Sequence, residues 1–422
     1  MSTLYTRVTL RVAPFLILLY LVAFLDRVNV SFASLSMNRD LNIPDDLFGL
    51  AAGIFFLGYL FFAVPSNLML IRLGAPRWIA ILMAIWGALS CGLAFVHGPI
   101  AYIVLRFLIG AAEAGFFPGI ILYLTRWLPG SQRGGIMALF TFSIPLSNIL
   151  GAPISAAILS MNGTGNLHGW QWLFLLEGLP SLLLACLVPY LLAAGPAEVS
   201  WLTPTEKQSL LTRIKSENLP PETRPSHREL IIPALTYFVL MIGLYALSFW
   251  VPRILSSHGV ALHWLGWATA LPSAFGALGM LLWSRISDRL GQRQRHLAAA
   301  FALAAIGIAT AALSPSRGAL WPLIGFSAAA IGVLAAMPIF WASLSQRLTP
   351  ARAVVAIAAV NSIGNIGGFL GPYAMGWMLK TTHQFRPGLL ATAACLLAGA
   401  LLALIPLRLQ SIRAPFIAVS PG

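Results

Sequence analysis

The chain has 422 residues, 59% of them hydrophobic and 9% charged, with a mean hydropathy of +0.84. Soluble domains carry about 25% charged residues, so a water-soluble fold is excluded and a lipid bilayer is the expected solvent. The 26 Lys and Arg against 12 Asp and Glu leave a net charge of +14, an excess that implies nucleic acid only if membrane topology fails to explain it.

The N-terminus, MSTLYTRVTLRVAPFL, leads into a long apolar run with no small-residue cleavage site. It reads as a retained first span, not a signal peptide. A span needs about 20 mostly apolar residues, and six such stretches fall near 12–36, 47–70, 78–96, 100–125, 134–160 and 171–193. The polar segment 194–229 follows, with five basic residues, five Glu and clustered Pro. It predicts a cytoplasmic linker with a short amphipathic helix. Six more spans follow near 231–252, 264–284, 297–314, 319–345, 353–378 and 387–407. The expected fold class is an all-α membrane protein of 12 transmembrane helices in two pseudo-symmetric six-helix bundles. Its expected domains are 1–193, the linker 194–229, and 230–422.

With the N-terminus placed in the cytoplasm and the spans alternating, the inner loops and tails hold 19 basic residues and the outer loops five. Moving the assignment by one span reverses that bias, so the positive-inside rule favours this orientation. The predicted location is the inner (plasma) membrane with both termini cytoplasmic. Topology thus accounts for most of the +14, and no nucleic-acid partner is expected. A repeat supports the two halves: RLGAPR at 72–77 and RLGQRQR at 289–295 lie 217 positions apart, each between the second and third spans of its half.

Two basic residues, Arg27 and Arg106, fall inside spans together with Asp26, Glu113 and Glu177. Each such charge costs at least about 2.5–3.5 kcal/mol on insertion scales, so these groups are expected to pair, face a cavity, or carry ions and protons. Asp26 and Arg27 are adjacent in FLDRVNVSF, about 100° apart on a helix. Arg106 and Glu113 lie seven residues apart, on one helical face. Small residues surround Glu113 in LIGAAEAG and predict close helix packing. If these helices touch, two carboxylates and two guanidiniums form a neutral network. Buried salt bridges that only fix helix register are the alternative, although apolar residues fill that role at lower desolvation cost. The functional reading divides the roles. Arginine presents a permanently charged fork that suits a carboxylate substrate, and carboxylates in low dielectric can carry protons near neutral pH.

The stretches LDRVNVSFA (25–33), GYLFFAVPSNLML (58–70), RFLIGAAEAGFFPG (106–119), GWQWLFLLEGLPS (169–181), LYALSFWVP (244–252) and NSIGNIGGFLGP (361–372) together resemble the anion:cation symporter family of the major facilitator superfamily. That family includes bacterial tartrate, phthalate, hexuronate and galactonate permeases. The superfamily loop signature G-x-x-x-D-R-x-G-R-R/K is partial. The C-terminal copy keeps Asp288, Arg289 and Gly291 but has Ser284 at its first position. The N-terminal copy keeps Arg72 and Gly74 but has Asn67 and Ile71 in place of Gly and Asp.

The resemblance implies a proton-coupled symporter that brings a small organic anion into the cell by alternating access. Candidate substrates are a hydroxydicarboxylate such as tartrate, or a sugar acid. Protons are then carried on Asp26 and Glu113, the substrate carboxylate rests on Arg27, and Arg106 couples the two. Tyr59, Tyr245, Asn361, Ser362 and Asn365 are expected to complete the substrate site, with ordinary packing equally open for each Tyr. Trp250 and Trp341 are weaker stacking candidates. Glu177 reads as a brace of helix ends near the membrane surface. The alternative function is a facilitator or exchanger of an aromatic or other carboxylate without proton coupling.

No nucleotide-binding, metalloprotease or nucleophile-elbow motif occurs, which leaves an ATP-driven pump or a hydrolase without support. Cys91, Cys186 and Cys395 lie in apolar runs without metal-ligand spacing and read as buried structural thiols. The chain is expected to be a monomeric transporter and not an enzyme, with no cofactor and with the anion, protons and lipid as its partners.

Overall fold

The structure is a computed structural model describing residues 2–217, 227–315, 318–345 and 350–405. Among these residues all regular secondary structure is helical, one of the two ways to pair every backbone N–H and C=O in lipid. The first span is divided into α1 (Ser2–Val28) and α2 (Val30–Asp40). After α3 (Asp45–Leu73) and α4 (Ala75–Gly92), the fourth span is divided into α5 (Pro99–Glu113) and α6 (Phe116–Trp127). The helices α7 (Gly130–Leu159) and α8 (Gly169–Leu191) follow, and α9 (Pro204–Glu217) lies in the polar segment. The second set comprises α10 (His227–Ser257), α11 (Leu262–Leu290), α12 (Arg293–Ala312), α13 (Leu320–Ser345), α14 (Pro350–Thr382) and α15 (Phe385–Leu404).

Eleven stretches among the described residues are long and apolar enough to cross a membrane, and each overlays a predicted span. The remaining prediction, 353–378, lies within the 33-residue α14. The chain is a twelve-helix membrane fold.

The RLG repeat marks a repeat of structure. Helices α3 and α11 each have 29 residues, and both their starts (45 and 262) and their ends (73 and 290) are 217 positions apart. Each stops at the glycine of its RLG. Gly74 takes φ +80° and Gly291 φ +69°, a left-handed region that glycine enters without steric cost.

The two sets of helices meet where α3 packs on α14 and α7 packs on α11. These contacts are backbone to backbone at one end of the molecule. A Cβ on Gly49 would lie 2.5 Å from the Pro372 carbonyl oxygen, and one on Gly266 would lie 2.7 Å from that of Ala152. Two ion pairs cross at the same end: Arg253 of α10 with Asp45 at 2.5 Å, and Lys380 of α14 with Asp46 at 2.8 Å. This end is closed.

Helix α9 confirms the expected helix in the polar segment, and the sequence TPTE explains where it starts. The Thr203 N–H donates to Glu206 Oε2 at 2.9 Å, and the Glu206 N–H donates to Thr203 Oγ1 at 3.3 Å, a reciprocal cap for two otherwise orphaned donors. Arg7 pairs with Glu206 at 3.2 Å, while Trp201 stacks on Trp127 and lies 4.9 Å beneath the Arg11 guanidinium. The segment is therefore tied to both α1 and α6. Of the predicted linker 194–229, residues 218–226 lie outside the described residues and 227–229 already belong to α10.

Candidate functional site

Three of the five charges singled out in the sequence lie beside the two helix interruptions. Asp26 and Arg27 precede the one-residue turn at Asn29, which keeps helical dihedrals and its hydrogen bond to the Leu25 carbonyl, and Glu113 is the last residue of α5, before the break at Ala114 and Gly115. Broken helices at membrane depth occur where protein or a cavity surrounds them. Side chains meet the backbone around the first break. The Ser31 hydroxyl donates to the Val28 carbonyl at 2.8 Å, and Arg106 Nη2 donates to the Arg27 carbonyl at 3.5 Å.

The break in α5 is held by close packing on α3. A Cβ on Gly110 would lie 1.9 Å from the Phe55 carbonyl oxygen, and one on Gly58 would lie 2.2 Å from that of Phe107. The small residues around Glu113 thus serve the tight helix approach that the sequence predicted.

The expected four-charge network forms only in part. Arg27 Nη2 pairs with Glu113 Oε2 at 2.5 Å, and Arg27 Nη1 donates to the Tyr245 hydroxyl at 3.2 Å. One guanidinium fork therefore joins α1, α5 and α10. Its Cζ lies over Phe55, 4.8 Å from the ring centroid. Arg106 approaches the same ring at 5.2 Å, is fully buried, and donates from Nε to the Ala51 carbonyl at 3.3 Å. Among the described residues Arg106 forms no ion pair. Carbonyl dipoles and an aromatic face take the place of a carboxylate.

Asp26 points elsewhere. Its Oδ2 accepts from the Ser181 hydroxyl at 2.5 Å and its Oδ1 from Ser90 at 3.4 Å. Trp86 Nε1 in turn donates to Ser181 at 3.0 Å. The carboxyl is thus enclosed by α4 and α8, forms no ion pair among the described residues, and is 2% exposed. The 100° between adjacent helical positions sends Asp26 and Arg27 to different neighbours.

Tyr59 and Tyr245 join the cluster. Tyr59 lies within electrostatic reach of Arg27, Glu113, Tyr20 and Tyr245, and Tyr245 packs on Phe56 at 4.3 Å and Phe249 at 5.6 Å. Asn361, Ser362 and Asn365 reach the cluster indirectly. They are half-buried on α14, whose Gly364 packs on Tyr237 and Gly368 on Phe56. Neither asparagine makes a hydrogen bond to the charged groups.

Several expectations need correction. Glu177 is 6% exposed and sits well inside α8, where Ser155 donates to its Oε1 at 2.6 Å. It is a buried carboxyl of the helix interior and does not brace a surface end. Trp250 is fully buried between Phe48 and Phe385 and therefore packs the core, whereas Trp341 is half-buried against Tyr237 at 4.7 Å. Cys186 is exposed on the outside of the bundle, and all three thiols are free. Sequence reasoning missed Ser90 and Ser181, which hold Asp26, as well as Tyr20 and Tyr237. A hydroxyl in an apolar span is a weak signal alone, since it can bond its own helix.

The Major Facilitator Superfamily profile matches residues 16–372. An Agrobacterium vitis protein named for tartrate transport is 44% identical over 407 residues, covering 94% of this chain and 90% of that protein. A quinolone resistance transporter of Acinetobacter baumannii is 37% identical over 407 residues, covering 94% and 93%. Among solved structures, an inward-facing bacterial homologue of the human lysosomal transporter Spinster superposes with a TM-score of 0.76 at 16% identity, covering 93% of this chain and 95% of its own. The likeness to that structure is one of fold. With a profile match over most of its length and curated relatives above 30% identity, this chain belongs to the Major Facilitator Superfamily and is a multi-pass membrane transporter, not an enzyme.

Proposed function

We propose that the protein is a proton-coupled symporter of a small organic anion, a hydroxydicarboxylate such as tartrate or a sugar acid, working by alternating access between the halves 1–193 and 230–422. The observation that carries this reading is the buried Arg27–Glu113 ion pair, with Tyr245 on the second arm of the fork. While Glu113 is ionised it occupies the guanidinium that a substrate carboxylate needs. A proton on Glu113 breaks the pair and frees Arg27 for the incoming anion. Proton and anion binding then meet at one side chain, and the empty carrier returns with the pair re-formed.

Arg106, bonded to the Arg27 carbonyl, transmits the state of this site to α3, and Asp26 serves as a second proton carrier on the α4 and α8 side. Tyr59, Asn361, Ser362 and Asn365 complete the substrate site. The basic-residue bias supports an inner (plasma) membrane location with both termini cytoplasmic, which makes the closed end the outer one. The chain acts as a monomer. If more protons than substrate charges enter, the membrane potential adds about 2.3 kcal/mol per charge per 100 mV.

A Glu113→Gln variant in proteoliposomes tests this. Glutamine mimics the protonated form, so counterflow of labelled anion continues while gradient-driven accumulation is lost. Accumulation that persists places the proton elsewhere, with Asp26 next in line. The aromatic shell around Arg27 and the quinolone-resistance relative favour a second reading, a facilitator or exchanger of an aromatic or other carboxylate. On that reading wild-type flux saturates without proton movement.

A further inference from the structure

Below the closed end lies a cavity of about 40 Å³ that Arg27 does not line. Asn29 does line it, two positions further along, and helical side chains at i and i+2 point away from each other. The polar wall comes from both halves: Asn29, Asn148 and Ser155 on one side, Ser248, Thr269 and Ser273 on the other. Asn29 is 2% exposed, and neither its Nδ2 nor its Oδ1 has a hydrogen-bond partner; Thr269 Oγ1 is unpartnered as well. A buried polar group left in that state is costly. The cavity has room for about two or three water-sized groups, so donor, acceptor and space call for a polar occupant.

Charge narrows what that occupant is. Among the described residues no Lys or Arg lines the cavity. Behind its wall sits Glu177, which takes the Ser155 hydroxyl on Oε1 and lies next to the Asn29 side chain. A carboxyl there disfavours a second anionic group, whereas an alcohol both donates and accepts and so matches the open amide and the open threonine. We propose that this pocket is a hydroxyl-reading subsite for the transported organic acid, on the route past the α1 break, separate from the carboxylate station at Arg27. The inference rests on the hydroxy-acid reading above and adds where the hydroxyls are read, at Asn29 and Thr269.

Succinate and L-tartrate share a skeleton and both carboxylates and differ only in hydroxyls, so their competition for uptake into proteoliposomes isolates the subsite. Wild type is expected to prefer tartrate. Asn29→Leu is expected to weaken tartrate by about 5–30-fold, the worth of one or two neutral hydrogen bonds, with succinate within twofold. The near-isosteric Thr269→Val shifts the ratio in the same direction by less and guards against misfolding of the first variant. An unchanged tartrate-to-succinate ratio in folded variants, or no tartrate preference in wild type, overturns the subsite while leaving the anion reading intact. Failure of wild type to transport either acid overturns the hydroxydicarboxylate reading and the subsite proposed for it.

Discussion

Replacing Arg27 by Lys keeps the positive charge and removes the fork. In the structure the guanidinium makes two bonds in different directions, to Glu113 at 2.5 Å and to the Tyr245 hydroxyl at 3.2 Å, while its Cζ lies over the Phe55 ring at 4.8 Å. An ammonium can keep the Glu113 pair but has neither the planar face nor the second arm in that geometry. A hydrogen bond to a charged group contributes about 1.5–3 kcal/mol and guanidinium stacking about 0.5–2 kcal/mol. Part of this is recovered by the ammonium, so the expected net loss in anion binding is about 2–3 kcal/mol, or about 30–150-fold in Kd. Folding is expected to survive because no buried carboxylate is stranded. Titration of purified protein with a panel of organic acids by calorimetry, beside its thermal melting curve, measures both. An affinity within threefold of wild type for the preferred acid refutes the assignment of the carboxylate to Arg27.

Gly110→Ala is expected to destabilise by about 1–3 kcal/mol or more, because the added methyl meets the Phe55 carbonyl; a melting temperature equal to wild type contradicts the close α3–α5 contact. The double variant Asp45→Asn with Asp46→Asn removes both ion pairs at the closed end. At about 0–1 kcal/mol per partly exposed pair, it is expected to shift the population by up to about 30-fold towards opening there. Spin-label distances between positions 41 and 258 read this, and an unchanged distribution counts against the ion pairs as a latch. Single cysteines at Arg72, Arg77 or in 194–217 are expected to resist impermeant thiol reagents in intact cells, and labelling from outside reverses the proposed topology.

The spans were legible because a bilayer imposes a length and an apolar content on each helix, and few sequences satisfy both twelve times by chance. The RLG repeat was legible for a local reason: helices that end before a left-handed glycine carry that glycine in the sequence. The breaks inside the first and fourth spans were not. Asn29, Ala114 and Gly115 change no hydropathy average, and an apolar helix with a turn of one or two residues has the composition of an intact one. Glu177 shows the opposite kind of failure. It lies eight residues into α8, and at 1.5 Å per residue that is about 12 Å of depth, so counting from the helix start could have placed it in the interior.

The charged residues of the site were visible as costs, but their partners depend on tertiary placement. Asp26 and Glu113 look alike in the sequence, each an acid within an apolar span. In the structure they differ in kind. Glu113 balances a guanidinium that reaches across to α10, so on the proposed mechanism its proton state alters what Arg27 can bind and how the two halves are joined. Asp26 is held by hydroxyls of α4 and α8, all within the first half, so its proton state acts on the packing of that half alone. The two acids should therefore separate under mutation. Loss of Glu113 removes the link between proton and anion, whereas loss of Asp26 leaves the Arg27 fork in place, and any effect on anion affinity must travel through α1.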